Sequence, residues 1–237
     1  MNEEVQKILD GIRVNHKFGG ITRPLYRINS LEIPLQVVSG IGRERNPKFV
    51  IDEDNRFAYE NLILWMHGDP KMKCLNPETK QMIPGDVRKG IYLAGQTGSG
   101  KSWALQVMNL YGTIDNVCFF SNGIRRRLHW TEVRAADICD YYKTTGDIEN
   151  LKSDPVLCIQ DFGSEPTEGM YMGNRIEVLR QLIESRGDRS DLMTLITSNY
   201  SLRNEELRER YGERVKSRLY EMCNYLEISG KDRRMQM

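Results

Sequence analysis

Four apolar runs of strand length punctuate the chain from residue 90 onward: "GIYLAG" from Gly90, "NVCFFS" from Asn116, "VLCIQD" from Val156 and "LMTLITSN" from Leu192. Between them stand segments in which apolar residues recur at helical spacing, namely "KSWALQVMNLYG", "TEVRAADICDYYKTTG" and "NRIEVLRQLIESRG", the last with Ile176, Leu179, Leu182 and Ile183 on one face. A charged helical pair in "NEELRERYGERVKSRLYEM", broken near Gly212, leads to a closing strand "YLEIS". Repeated strand–helix order predicts an α/β fold: a parallel sheet with helices on both faces and right-handed crossovers. Ligands of such sheets bind beyond the carboxyl ends of the strands.

The first 48 residues follow a different pattern. An amphipathic start (Val5, Ile8, Leu9, Ile12) precedes a stretch punctuated by Gly, Pro and Asn. The region of Pro34 and Gly40-Ile41-Gly42 reads as loop or linker. A helix is expected within "NPKFVIDEDNRFAYENLILWM", capped by Asp52 or Asp54, and residues 68–88, with three prolines, read as an irregular connection. The expected organisation is a short N-terminal segment at 1–48, suited to docking a partner, and one α/β domain at 49–237.

Composition bears on environment. A hydrophobic share of 39% and a charged share of 28% fit a soluble globular chain of 237 residues. No apolar run reaches membrane-spanning length, and the acidic start lacks the apolar core of a secretory signal. Five cysteines without a CxxC pair point to reduced thiols in a cytoplasmic protein rather than to zinc. Net charge is +1, so any attraction to nucleic acid must come from local clusters such as Arg125-Arg126-Arg127 with Arg134.

The strongest chemical signal is Gly95-Gln96-Thr97-Gly98-Ser99-Gly100-Lys101-Ser102, which matches GxxxxGK[ST] between a buried strand and an amphipathic helix. Its glycines let backbone N–H groups curl around phosphate oxygens, and the following helix adds its N-terminal partial charge. Lys101 would reach the β- and γ-phosphates of ATP, and the Ser102 hydroxyl would ligate Mg²⁺. The run "VLCIQD" ends in an amide and one carboxylate, where nucleotide-hydrolysing folds often carry two acids. In one register Gln160 takes the metal position and Asp161 polarises the water. In the other, Asp161 serves the metal and Glu165 or another group handles the water. Asn199, at the end of "LITSN", is the choice for holding that water beside the γ-phosphate.

These motifs, with "ERYGERVKSRLYEMCNYLEISGKDRR", resemble the DnaC/IstB-like branch of the AAA+ ATPases, the helicase-loader and transposition-helper group, over residues 49–237. The resemblance implies a homo-oligomer with ATP between subunits, completed by an arginine finger at Arg218 or Arg214. Arg234 (or Arg233) would touch phosphate in cis. It also implies single-stranded DNA and a replicative helicase as partners, with DNA contacts on helices after the second strand. There Arg125, Arg126, Arg127 and Arg134 would meet phosphates, and His129 or Trp130 would stack on bases. The first register puts Phe162-Gly163 at the turn usual in that group. Gln160 departs from its acidic pair, so that binding is better supported than hydrolysis, Gln160→Asp is expected to raise turnover and Asp161→Asn to abolish it. Competing expectations are a transposition helper on duplex DNA, a small-molecule kinase, and a module that binds ATP without turnover.

Overall fold

A computed structural model describes residues 3, 4, 7, 19–114, 117–166, 168–171, 174–230 and 232–233. In chain order its first elements are β1 (Ile21–Thr22), α1 (Glu32–Arg45), α2 (Arg56–Met66), β2 (Lys73–Leu75), β3 (Met82–Pro84), β4 (Gly90–Ala94) and α3 (Lys101–Ile114). Then come β5 (Cys118–Ser121), β6 (Ile124–Arg127), β7 (Thr131–Arg134), α4 (Ala135–Thr145), α5 (Glu149–Ser153) and β8 (Val156–Phe162). The last are β9 (Gly169–Tyr171), β10 (Asn174–Ile176), α6 (Val178–Gly187), β11 (Met193–Ser198), α7 (Glu205–Met222) and β12 (Cys223–Glu227).

The central sheet has five strands in the order β12-β4-β11-β8-β7, every pairing parallel. Alternate residues of each strand point to opposite faces, and both faces of the inner strands β4, β11 and β8 are covered, which is why those three read as apolar runs. Ile91, Leu93, Cys158, Met193 and Leu195 meet α1, α2 and α3 through Leu35, Val38, Leu62, Ile63, Leu105 and Met108. Tyr92, Leu157, Ile159 and Ile196 meet α4, α6 and α7 through Ile138, Leu182, Ile183, Leu207, Val215 and Leu219. α7 is the helix pair expected around Gly212: two helical stretches joined at a kink there, where φ is 84° and ψ 164°.

The strand beside β8 is not the expected one. "NVCFFS" contributes β5, but β5 sits in a separate antiparallel sheet between β1 and β6. Asn122 and Gly123, with φ of 50° and 77°, form the two-residue turn that folds β5 back on β6. Two positive φ values match the right-handed twist of a hairpin, and Asn-Gly is its strongest sequence signal. The fifth strand of the central sheet is instead β7, "TEVR", expected as the start of a helix. Thr131 and Val133 are branched at Cβ and favour an extended edge, and α4 begins only at Ala135.

Three further local readings are corrected. The segment holding Pro34 and Gly40-Ile41-Gly42 is helix α1: Pro34 lies in its first turn, where no N–H is needed, and Gly42 packs so closely on Phe49 that a Cβ would fall 2.3 Å from its ring. Residues 73–84 form the β2–β3 hairpin rather than an irregular connection. The residue before α2 is Asn55, not Asp52 or Asp54, and its side chain makes no cap bond to the helix. Asn55 instead ties the preceding turn, accepting from the Asp52 N–H at 2.9 Å and donating to Val50 O at 3.1 Å. The stretch 19–48 shares the main core through Ile21, Leu35 and Val38. Val5, Ile8, Leu9 and Ile12 lie outside the described residues.

Candidate functional site

The carboxyl ends of β4, β8 and β11 converge on one cleft of ≈ 480 Å³, within the range of ordinary small-molecule sites. Thr97, Gly98, Ser99, Gly100, Lys101 and Ser102 line one end of it, with Asp161 and Asn199 beside them. The loop leaves β4 at Gly95 and enters α3 at Lys101. Gly98 (φ 77°) and Gly100 (φ 100°) hold conformations that an L side chain resists. At Gly98 a Cβ would also lie 2.0 Å from the Asp232 carboxylate, which would have to swing aside.

Lys101 is buried, and its Nζ donates to Gly95 O at 2.8 Å, Gln96 O at 2.8 Å and Asn199 Oδ1 at 2.9 Å. The ammonium is therefore held at the loop and against the tip of β11 by neutral oxygens, which an anionic ligand can replace. Ser99 Oγ is buried without a hydrogen-bond partner. An orphaned hydroxyl inside a glycine-rich turn at a helix N-terminus fits a phosphate oxygen.

Asp161 has φ 57°, unusual for a residue with a side chain. Its N–H donates to Thr197 Oγ1 at 3.0 Å, and its carbonyl accepts from Ser164 N at 3.0 Å and Ser164 Oγ at 2.7 Å. These bonds hold the exposed carboxylate at the cleft. Gln160 is buried and does not line the cleft. Glu165 is also absent from the lining: it is buried, accepts from the Gly163 N–H at 2.9 Å and from the Tyr211 hydroxyl, and pairs with Arg210 at 3.5 Å. Burial and then the Glu165 charge push the Tyr211 phenol well above its usual range, so it remains a donor. The expectation that Glu165 could handle a water fails on this sequestration. Among the described lining residues, Asp161 is the only carboxylate.

The other end of the cleft is apolar and aromatic, and the sequence reading missed it. Phe49, Val50, Tyr59 and Trp103 line it. Phe49 meets Tyr59 edge-on, with centroids 5.8 Å apart, and stacks near Trp103 at 6.3 Å. Arg45 lies over the Trp103 ring, 4.9 Å from its centroid. Arg233 also lines the cleft and forms a two-pronged pair with Asp52, at 2.9 and 2.7 Å. The hydrogen bond from Arg233 holds the Asp52 carboxyl below the usual carboxylate range, partly opposed by burial. The Arg233 N–H donates to Gly98 O at 3.0 Å, so one short tail joins the residue 52 turn to the phosphate-type loop. Arg234 lies outside the described residues.

Arg218 and Arg214 lie on α7 and do not line their own chain's cleft. Arg218 pairs with Asp188 and, at 2.8 Å, with Glu221; Arg214 faces Glu184 at 3.8 Å. Arg125, Arg126, Arg127 and Arg134 are all exposed. They stand on the β5–β6 hairpin and at the end of β7, so the expected DNA-contacting helices are strands. His129 is exposed, whereas Trp130 is 2% exposed and packs on Trp65, with centroids 6.3 Å apart. Trp130 is a core residue and cannot stack on a base.

No family model matches the chain, and no curated protein does either. Solved structures do. The crystal structure of a candidate primosome component from Streptococcus pyogenes serotype M3 is 21% identical, with a TM-score of 0.52, over 78% of this chain and 85% of that one. The DnaC helicase loader is 20% identical, with a TM-score of 0.51, over 77% of this chain and 94% of that one. At such identities the likeness is one of fold: the chain shares the α/β architecture of these two structures, a parallel sheet flanked by helices.

Proposed function

We propose that the cleft binds and hydrolyses ATP, and that the chain works as a nucleotide-switched homo-oligomer that helps set a replicative helicase on single-stranded DNA. The observation that carries the reading is the meeting of Lys101, Ser99, Asp161 and Asn199 at one end of a cleft whose other end is aromatic. Backbone N–H groups of residues 97–101 and the Lys101 ammonium bind the phosphates. Phe49, Val50 and Tyr59 give the base an apolar slot. The Ser102 hydroxyl and the Asp161 carboxylate hold Mg²⁺, which when bound neutralises charge developing on the phosphates.

Asn199 gives up Lys101 when phosphate arrives and then orients the attacking water, and Asp161 takes the proton of that water or of its neighbour. Arg218, with Arg214 beside it, serves the cleft of an adjacent copy, where a guanidinium stabilises negative charge in the transition state. The DnaC likeness supports the replication setting. The exposed run Arg125–Arg127 supports contact with a nucleic-acid backbone, for which replacing the three with Ala would flatten the salt dependence by about 2 logarithmic units per decade of salt.

A module that binds ATP with little hydrolysis is a second reading, favoured by Asp161 being the only carboxylate among the described lining residues. Phosphate release with and without single-stranded DNA separates the two. DNA-stimulated turnover supports the first reading; tight ATP binding without released phosphate supports the second. Size-exclusion chromatography with a non-hydrolysable ATP analogue and the host's hexameric helicase tests assembly, and a chain that stays monomeric and elutes alone counts against the oligomer and its partner.

A further inference from the structure

The cleft's carboxylate sits on a backbone that a chain of polar side chains holds in place. The Asp161 N–H donates to Thr197 Oγ1 at 3.0 Å. That hydroxyl donates to Gln160 Oε1 at 2.7 Å. The Gln160 amide nitrogen donates in turn toward Glu132 Oε2 at 3.5 Å and Cys158 Sγ at 3.4 Å. Thr197 is 0% exposed and Gln160 5%. The links come from three adjacent strands, β7, β8 and β11, whose pairing sets Arg134 opposite Gln160 and Glu132 opposite Cys158.

Each partner's chemistry gives the chain one direction. A threonine hydroxyl has one proton; here it is spent on Gln160, so the Thr197 oxygen is left to accept from Asp161. An amide offers both an acceptor for Thr197 and donors for Glu132. A carboxylate at position 160 would have acceptors only, and would bring a second negative charge beside Glu132 in a buried place. Gln160 is thus suited to joining Glu132 to Thr197, a task an acidic residue would do badly. Asp161 needs such a hold because its φ of 57° is one that an ordinary residue leaves readily.

We propose that Glu132, Gln160 and Thr197 are positioning residues for Asp161, and that Gln160 is the connecting amide of this relay rather than a weakened metal ligand. The proposal rests on the reading of Asp161 as the hydrolytic carboxylate. It reverses the expectation for Gln160→Asp, which should lower turnover instead of raising it.

The test compares purified full-length wild type with Thr197→Val, Thr197→Ser, Glu132→Ala, the Thr197→Val/Glu132→Ala pair and Asp161→Asn. ATP turnover is measured with KM separated from kcat, and melting temperature is followed as a control. Thr197→Val should lower kcat about tenfold with a smaller rise in KM, and Thr197→Ser should restore most of it, since serine keeps the hydroxyl. Glu132→Ala should fall in the same sense, and the double variant should lose less than the product of the two single losses, because both break one chain. Equal losses in Thr197→Val and Thr197→Ser, or full kcat in Thr197→Val while Asp161→Asn is inactive, would overturn the relay and leave the reading of Asp161 standing. Wild-type turnover in Asp161→Asn would instead overturn that reading. If the wild type releases no phosphate, the Mg²⁺-dependent part of its ATP affinity is the second readout: Thr197→Val must reduce it, and an unchanged increment overturns the relay.

Discussion

At the Gly95–Ser102 end of the cleft most of the lining, including one buried ammonium and one orphaned hydroxyl, comes from eight consecutive residues, joined by Asp161 and Asn199 from the ends of β8 and β11. At the other end the lining is side chains brought from far apart: Phe49 from the turn before α2, Tyr59 from α2 and Trp103 from α3. The first end depends on local conformation that glycine permits. The second depends on the whole domain having folded, since its rings meet only when α2 and α3 pack together. Specific strong contacts and broad apolar contact thus divide one site, and substitutions at the two ends should fail differently.

The largest effect is expected where chemistry rather than binding is lost. Asp161→Asn should cut phosphate release about a thousandfold and lower the Mg²⁺-dependent part of ATP affinity far less, because the amide keeps the shape while removing the base and a charged metal ligand. Retained turnover would detach Asp161 from hydrolysis. Next comes Lys101→Ala, which should weaken ATP binding about 100-fold by calorimetry, through loss of a charge-assisted contact in a partly dry site. A smaller loss is expected at the aromatic end: Phe49→Ala should weaken ATP about tenfold yet leave inorganic triphosphate binding unchanged, since only the nucleoside touches that end. Equal loss for both ligands would show that the aromatic cluster merely supports the loop.

The smallest effect concerns the tail that joins the two ends. Arg233 holds the Asp52 carboxyl below its ordinary range, so the pair contributes stability above the unfolded carboxylate value and loses it as pH falls through the depressed one. Wild type should therefore melt slightly above Asp52→Asn at neutral pH, with the gap closing below about pH 4. Both side chains are partly exposed, so the gap corresponds to less than about 1 kcal/mol. A gap that widened in acid would contradict the pairing.

These contrasts also decide what could be read from the sequence. The glycine-rich loop was legible because its chemistry is consecutive and its neighbours, a buried strand and an amphipathic helix, are marked by periodicity. Of the five central strands, β4, β8 and β11 were legible for the same reason, since burial on both faces leaves unbroken apolar runs, and β12 showed through the shorter apolar pair Tyr225-Leu226. The fifth, β7, was not, because an edge strand reading Thr-Glu-Val-Arg has no such run, while the more apolar Cys118–Ser121 drew the assignment. Asn122-Gly123 between Ser121 and Ile124 was the overlooked signal, a hairpin turn in plain view. Helix α1 was obscured by Pro34 and two glycines, each harmless where it sits: one in a first turn, one on the surface and one against Phe49. The aromatic end of the cleft carries no local mark at all. Phe49, Tyr59 and Trp103 look like core residues until the fold leaves them beside an opening. The burial of Gln160 and Glu165 likewise follows from their neighbours on β11 and α7, which no spacing along β8 announces.

Titration calorimetry of the full chain with ATP and Mg²⁺, repeated with Lys101→Ala, tests the central claim most directly. The expected result is saturable binding of one nucleotide per chain in the wild type and its near loss in the variant. No saturable heat in the wild type, or the same affinity in both proteins, would contradict a phosphate site at Gly95–Ser102.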